Sequence, residues 1–351
     1  MTTHGAAAAG ISVLPLMCGS TEPLVSRYDS ALIDLDGVLY AGPDAIPGAP
    51  EAVARARATG MRVAFVTNNA SRTPETVAAH LTDLGIPAEP WDVVSSAQAA
   101  VTLVAELVAP GSAVLVVGGE GLDVALAAKG FRPVRTLAEG PAAVVQGFSP
   151  DVGWQLLAEG TYAVQSGLPW IASNLDVTVP TAQGLAPGNG ALVGVIAAAT
   201  GRRPVAAGKP ETPLHREAVR RIDARFPIVV GDRLDTDIEG ANRADVPSLL
   251  VFTGVTTALD VVLAEPMQRP TYMSRDVRSG LLEPHPPVLR NPAGGWSCGG
   301  WLCTPGDDGL LLTGGGAGLD GLRALCAACW DDAAARSDPA HIRGLVARLD
   351  L

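Results

Sequence analysis

Four polar motifs stand, in order, at or just past apolar runs that read as strands. They are Asp34-Leu35-Asp36-Gly37, Thr67-Asn68-Asn69, Gly208-Lys209-Pro210, and the run from Gly231-Asp232 to Asp237. Strand and helix signals alternate from about residue 30 to about residue 255. A chain patterned this way builds parallel sheets covered by helices, and its ligands bind beyond the carboxyl ends of the strands. Strands are expected over 31–35, 61–66, 113–117, 142–145, 170–173, 205–207, 228–230 and 248–252. Helices are expected over 50–59, 97–108, 154–165 and 212–224, with one more opened by the cap Thr73 and Pro74 and closed by Gly85.

The motifs fall into two groups, one before residue 70 and one after residue 207. The residues between carry no element of the set but have strands and helices of their own. The expected organisation is therefore an α/β core, 26–85 and 205–283, interrupted by an inserted α/β domain, 86–204. Residues 1–25 read as a disordered tail, with Met17 as an alternative start to Met1. Pro284, Pro286, Pro287 and Pro292 mark a linker into a small third unit, 284–351. It carries strand candidates over 296–304 and 310–313, then a helix holding Cys326.

Composition narrows the function classes. The formal charge of −11 over 351 residues disfavours nucleic acid and anionic membranes as general partners. No apolar run approaches the roughly 18–20 residues of a membrane span, and residues 1–26 hold no Lys or Arg for a signal peptide. A cytoplasmic protein is the default expectation. Five cysteines imply no disulfide framework. Cys298, Cys303, Cys326 and Cys329 could suggest zinc. Leu322, Leu325, Cys326, Cys329 and Trp330 form one helical stripe, however, and buried thiols acting as small hydrophobes are the plainer reading.

The motif residues have the chemistry of phosphoryl transfer. Asp34 is a candidate nucleophile that would form an aspartyl-phosphate. Asp36 is a candidate acid and base for the leaving alkoxide and the attacking water. Asp232 and Asp237 add hard oxygen ligands suited to Mg²⁺. Thr67 offers a hydroxyl, and the peptide N–H groups around it face a strand end. Lys209 offers a point charge for phosphate. Lys129 and Lys209 are the only lysines in a chain whose default cation is arginine. Lys129 reads as a surface charge closing a helix, whereas Lys209 follows a strand. Blander readings run alongside: Asp34 as a turn or cap residue, Thr67-Asn68-Asn69 as a plain turn, and Asp235 as a first-turn acid favoured by a helix dipole. His80 and His215 lie on helix candidates without partner motifs and read as structural or surface residues.

Taken together, these residues resemble the haloacid dehalogenase (HAD) superfamily of aspartate-nucleophile phosphatases. The likeness is greatest to the branch of p-nitrophenyl phosphatases, phosphoglycolate phosphatases and pyridoxal phosphate phosphatases, in which Thr-Asn-Asn is followed by Ser-Arg, here Ser71-Arg72. The resemblance implies a Rossmann-like α/β core with a parallel sheet, an inserted α/β cap, and Mg²⁺ as cofactor. It implies Asp34 and Asp36 as catalytic residues; Thr67, Asn68 and Lys209 on the substrate phosphate; and Asp34, Asp36 and Asp232 on the metal, with Asp237 behind them. Asn174-Leu175-Asp176 and Pro187-Gly188-Asn189-Gly190 look like the substrate-side segments of the cap, making Asn174 and Asp176 candidate substrate contacts. The run 231–242 and the C-terminal extension resemble actinobacterial glycerol-3-phosphate phosphatases, whose extension is similar to a GNAT-like α+β fragment. The implied partner is a small phosphomonoester, and a homodimer through the cap stays open. Alternatives are a phosphatase for 2-phosphoglycolate, pyridoxal 5′-phosphate or p-nitrophenyl phosphate, a phosphotransferase, and a binding protein without turnover.

Overall fold

The computed structural model describes residues 17–181, 183–292, 294–307, 309–332 and 338–351. Its core is a six-stranded sheet in the spatial order Tyr272–Ser274, Ser248–Val251, Pro227–Gly231, Ser30–Ile33, Arg62–Thr67, Val93–Ser95. Every neighbouring pair is parallel. The central strand, Ser30–Ile33, is buried along its whole length, as a strand covered by helices on both faces must be. Its last residue, Ile33, lies level with Phe65 on one side and Val230 on the other. Parallel register therefore brings the ends of three motif-bearing strands to one edge of the sheet.

A second parallel sheet, in the order Val205–Ala206, Trp170–Ala172, Ala143–Gln146, Ala113–Val117, Arg132–Val134, forms the cap. The exchange between core and cap falls elsewhere than the sequence suggested. Val93–Ser95, expected in the insertion, is the edge strand of the core sheet, while Val205–Ala206, expected in the core, pairs with Trp170–Ala172 of the cap. Helix Ser96–Leu107 begins directly after the core edge strand on a reciprocal cap between Ser95 and Gln98. Ala100, Val101 and Val104 on this helix pack in one cluster with Leu32 and Val66 of the core and Val114 and Val145 of the cap. A short antiparallel hairpin, Thr178–Thr181 with Gly184–Pro187, follows Trp170–Ala172 in the cap.

The C-terminal unit is an antiparallel sheet, Leu289–Arg290, Trp296–Cys298, Trp301–Gly306 and Gly309–Gly314, backed by helix Gly318–Asp331. The single strand expected over 296–304 is two, because the chain reverses at Gly299-Gly300, where Gly299 has φ +53°. Cys298, Cys303, Cys326 and Cys329 are buried beside Leu312, Leu322 and Leu325. Burial pushes the thiols of Cys298 and Cys303 up to about 12.

The N-terminal segment requires a correction. Residues 1–16 lie outside the described residues, but residues 17–25 do not form a disordered tail. Met17 is buried against the C-terminal unit, Cys18 N–H donates to the Thr271 carbonyl at 2.9 Å, and Ser20 pairs with His285. Leu24 enters the main core. The apolar side chains of Met17 and Leu24 account for the order. Burying such a side chain contributes about 1.5–3 kcal/mol, and no regular periodicity in the segment marks Met17 and Leu24 as buried.

Candidate active site

Three carboxylates and one ammonium meet at the convergent strand ends. Asp34 directly follows the central strand and is largely buried. Lys209 Nζ donates to Asp34 Oδ1 at 2.5 Å and to Asp237 Oδ1 at 2.7 Å. Lys209 is 4% exposed and Asp237 1%. Burial opposes the lysine's charge, but Asp237 and Asp34 more than offset it, so the ammonium stays protonated. Asp237 reaches this position on a π-helical turn, Leu234–Ile238, and its Oδ2 accepts the Arg233 N–H at 3.1 Å.

Asp232, at the end of strand Pro227–Gly231, completes the cluster. Its Oδ2 accepts the Val255 N–H at 2.7 Å, while its Oδ1 is buried with no partner among the described residues. Glycines shape its pocket. A Cβ on Gly37 would lie 2.6 Å from Asp232 Oδ2, and one on Gly254 would lie 2.0 Å from it. Oxygens of Asp34, Asp232 and Asp237 all lie within 4.8 Å of one another. Burial, then the Asp237 charge, raises Asp232 to about 6. Burial also raises Asp34; Lys209 pulls it down, and Asp237 and Asp232 push it up. An orphaned carboxylate oxygen beside two further hard oxygen donors fits a divalent cation such as Mg²⁺, which would reverse these upward shifts.

Asp36 does not join this cluster. The strand ends at Ile33, so the alternation that would align Asp34 with Asp36 stops there, and Gly37 (φ +82°) turns the chain away. Asp36 is exposed and lies 3.5 Å from the Tyr40 hydroxyl. Partial desolvation raises its carboxyl against the pull of Arg72, which suits a group that must carry a proton. Among the described residues, the acidic trio is thus Asp34, Asp232 and Asp237, and the Asp36 side chain lies outside it. Asp235, read as a first-turn acid, pairs with Arg233 at 2.8 Å on the surface.

Asn68, Asn174 and Asp176, read as phosphate or substrate contacts, are engaged with one another. Asn68 Oδ1 accepts the Lys209 N–H at 2.8 Å, and Asn68 Nδ2 donates to the Lys209 carbonyl at 3.0 Å and to both oxygens of Asp176 at 3.2 and 3.1 Å. Asn174 Nδ2 donates to the Asn68 carbonyl at 2.7 Å, and its Oδ1 accepts the Asp176 N–H at 3.1 Å. Both N–H groups and the oxygen of the Asn68 side chain are thus engaged within the protein. Thr67 is buried at the strand end, where Thr67 Oγ1 accepts the Asn69 N–H at 3.0 Å. Tyr40, which the sequence reading missed, sits on the hairpin just after the first motif, with the His80 ring edge-on at 5.0 Å. Neither residue belongs to a motif. Only the closeness of Tyr40 to Asp36 in the chain could have pointed to it.

Comparisons with known proteins agree with this geometry. The haloacid dehalogenase-like hydrolase family matches residues 31–132, and a HAD-hydrolase-like family matches 206–279. A GCN5-related N-acetyltransferase-like domain matches 298–351. The chain is 47% identical over 330 residues to the D-glycerol 3-phosphate phosphatase of Mycobacterium tuberculosis, covering 92% of this chain and 91% of that one. It is 36% identical to an acid sugar phosphatase of Staphylococcus saprophyticus, over 74% of this chain and 99% of the other. A crystal structure of glycerol phosphate phosphatase from M. tuberculosis in complex with magnesium superposes with TM-score 0.84 at 43% identity, covering 94% of this chain and 99% of that chain.

Proposed function

We propose that this chain, which belongs to the haloacid dehalogenase-like hydrolases, is a Mg²⁺-dependent phosphatase whose natural substrate is glycerol 3-phosphate. The observation that carries the activity is the buried Asp34–Lys209–Asp237 chain of ion pairs beside the orphaned Asp232 oxygen. The substrate is supported by near full-length similarity to a relative acting on that ester.

Each role follows from position. Lys209 holds Asp34 Oδ1, leaving its second oxygen for in-line attack on phosphorus. Attack forms the Asp34–phosphorus bond and breaks the ester P–O bond, and Asp36 gives its proton to the departing alkoxide. Water then attacks phosphorus, Asp36 takes the water's proton, and Asp34 and inorganic phosphate are released. Thr67, the peptide N–H of Asn68 and Lys209 hold the phosphate oxygens through these steps. Asp34, Asp232 and Asp237 would hold Mg²⁺, which when bound neutralises phosphate charge and polarises the phosphorus.

Among the described residues, no helix is long and apolar enough to cross a membrane. A cytoplasmic site of action, a small-ester partner in place of nucleic acid, and a homodimer through the cap belong to the same reading. Exposed Trp154 and Tyr162 on the cap helix Trp154–Gln165 support the last, and sedimentation would test it. Phosphate release from a panel of phosphomonoesters with Mg²⁺ tests the whole. Glycerol 3-phosphate should give the highest kcat/KM. A higher value for 2-phosphoglycolate or pyridoxal 5′-phosphate would replace the substrate, phosphate appearing on an added alcohol would indicate a transferase, and no release from any ester would overturn the activity.

A further inference from the structure

We propose that Asn68 is a positioning residue that fixes Lys209, and that the cap holds Asn68 in place through Asp176 and Asn174, so that seating the cap completes the placement of the catalytic lysine. This rests on the phosphatase reading above.

A carboxamide offers two N–H donors and one carbonyl acceptor. Asn68 gives its acceptor to the Lys209 N–H and one donor to the Lys209 carbonyl, pairing with both backbone groups of that residue as a neighbouring strand would. These partners also fix the orientation of the amide, because exchanging O and N would set an N–H against the Lys209 N–H. The other donor goes to the Asp176 carboxylate, 108 residues away in the cap. The Asn68 carbonyl accepts from Asn174 Nδ2 of the cap and from Ser96 Oγ at the start of the helix shared by core and cap.

Gly208 shows how closely the parts fit. A Cβ there would lie 2.6 Å from Asn68 Oδ1 and 2.6 Å from the Ser173 carbonyl. Any side chain at residue 208 would push Asn68 and the cap strand end away from Lys209. Downstream, Lys209 Nζ has two carboxylates to satisfy within hydrogen-bond distance, and a small displacement of its backbone would break that geometry. Asp176 thus supports the lysine from outside, across the join between the domains. Its carboxyl is raised by burial, with the Asn68 bond acting against the rise.

The test compares Asp176→Ala, Asn68→Asp and the reversed pair Asn68→Asp/Asp176→Asn, using phosphate release from glycerol 3-phosphate and p-nitrophenyl phosphate. Melting curves fix the folded fraction of each protein. Asp176→Ala should lower kcat about tenfold for both esters and move KM less than about threefold. Asn68→Asp, which sets two carboxylates face to face, should lower kcat at least about a hundredfold. The reversed pair sets an amide donor on the cap side against a carboxylate on the core side and should recover about tenfold of that loss. Gly208→Ala should reproduce the Asp176→Ala pattern. A rise in KM for glycerol 3-phosphate alone, with kcat on the aryl ester unchanged, would make Asp176 a substrate contact and overturn the proposal. So would absence of recovery in the reversed pair. Wild-type protein that hydrolyses neither ester would overturn the phosphatase reading itself, and this inference with it.

Discussion

Asp34 and Asp36 stand two residues apart in the chain but face different surroundings, so their amide variants should fail differently. Asp34→Asn keeps shape and loses the attacking charge. Turnover should fall at least about 10³-fold, roughly 4 kcal/mol of transition-state stabilisation, with an unchanged circular dichroism spectrum. Wild-type-like turnover would remove Asp34 as nucleophile. Asp36→Asn should slow aspartyl-phosphate formation from an alkyl ester far more than from p-nitrophenyl phosphate, whose leaving group needs no proton. Equal losses in a single-turnover comparison would remove Asp36 as the acid. The metal site separates another pair. Asp232→Ala should raise the Mg²⁺ concentration for half-activity at least about tenfold, while surface-paired Asp235→Ala should leave it near wild type. A titration in which Asp235→Ala does the greater damage would reverse that assignment. The groups of this cluster were legible because motif spacing at strand ends dictates where Asp34, Lys209, Asp232 and Asp237 must meet. The hydrogen bonds that tie Asn68 to Asn174, Asp176 and Lys209 were not. Whether an amide faces a ligand or the protein depends on partners more than a hundred residues away.

Helix Thr212–Arg221 holds one group whose protonation is coupled to folding. It buries His215, 1% exposed, with both ring nitrogens unpartnered among the described residues and Gly240 packed against the ring. Burial, with help from the Lys209 charge, lowers this imidazole to about 3, so the folded chain holds it neutral. The unfolded chain protonates it near the ordinary value of about 6.5. The stability it allows is therefore complete above about pH 6.5 and is lost as pH falls from there towards about 3. His215→Leu removes the titration and no hydrogen bond. The variant should melt like wild type at pH 8 and be more stable at pH 4, by up to about 3 kcal/mol. Parallel melting curves at the two pH values check this, and an identical difference at both would show that the ring does not titrate as argued. The sequence placed His215 on a helix, but its burial follows from contact with the segment Glu239–Arg243, which no local pattern reveals. Long periodic elements such as Trp154–Gln165 were legible in full. Short ones were not: Val93–Ser95 is only three residues long, and Leu289–Arg290 lies in a proline-rich stretch that reads as linker.

At the scale of the molecule, the C-terminal unit packs on the core strands and on the turn that carries Asp237. One apolar cluster joins Leu322, Leu325 and Cys326 of its helix to Leu250, Met273, Val261 and Val262 of the core. The same cluster contains Leu234 and Ile238, which bracket the π-helical turn carrying Asp237, and Met17 from the start of the described chain. Arg323 adds a polar tie, donating from Nη2 to the Met273 carbonyl at 2.7 Å. The proline-rich boundary at 284 suggested an independent unit, because a linker composition carries no information about what the following segment packs on. Deleting 284–351 should therefore expose the Leu250–Met273 face, lower the melting temperature and impair turnover together. Leu325→Ala gives the same test without truncation. It opens a cavity at a fully buried position and should destabilise by about 2–5 kcal/mol. Leu325 shares its apolar cluster with Leu234 and Ile238 of the turn holding Asp237, so Mg²⁺, which stabilises by binding the folded state alone, should raise the melting temperature of Leu325→Ala less than that of wild type. Deleting only 1–16 should change neither melting temperature nor activity, whereas Met17→Ala in the shortened chain should lower the melting temperature. A chain lacking 284–351 that melts and turns over like the full-length protein would show that the shared cluster contributes nothing to the site.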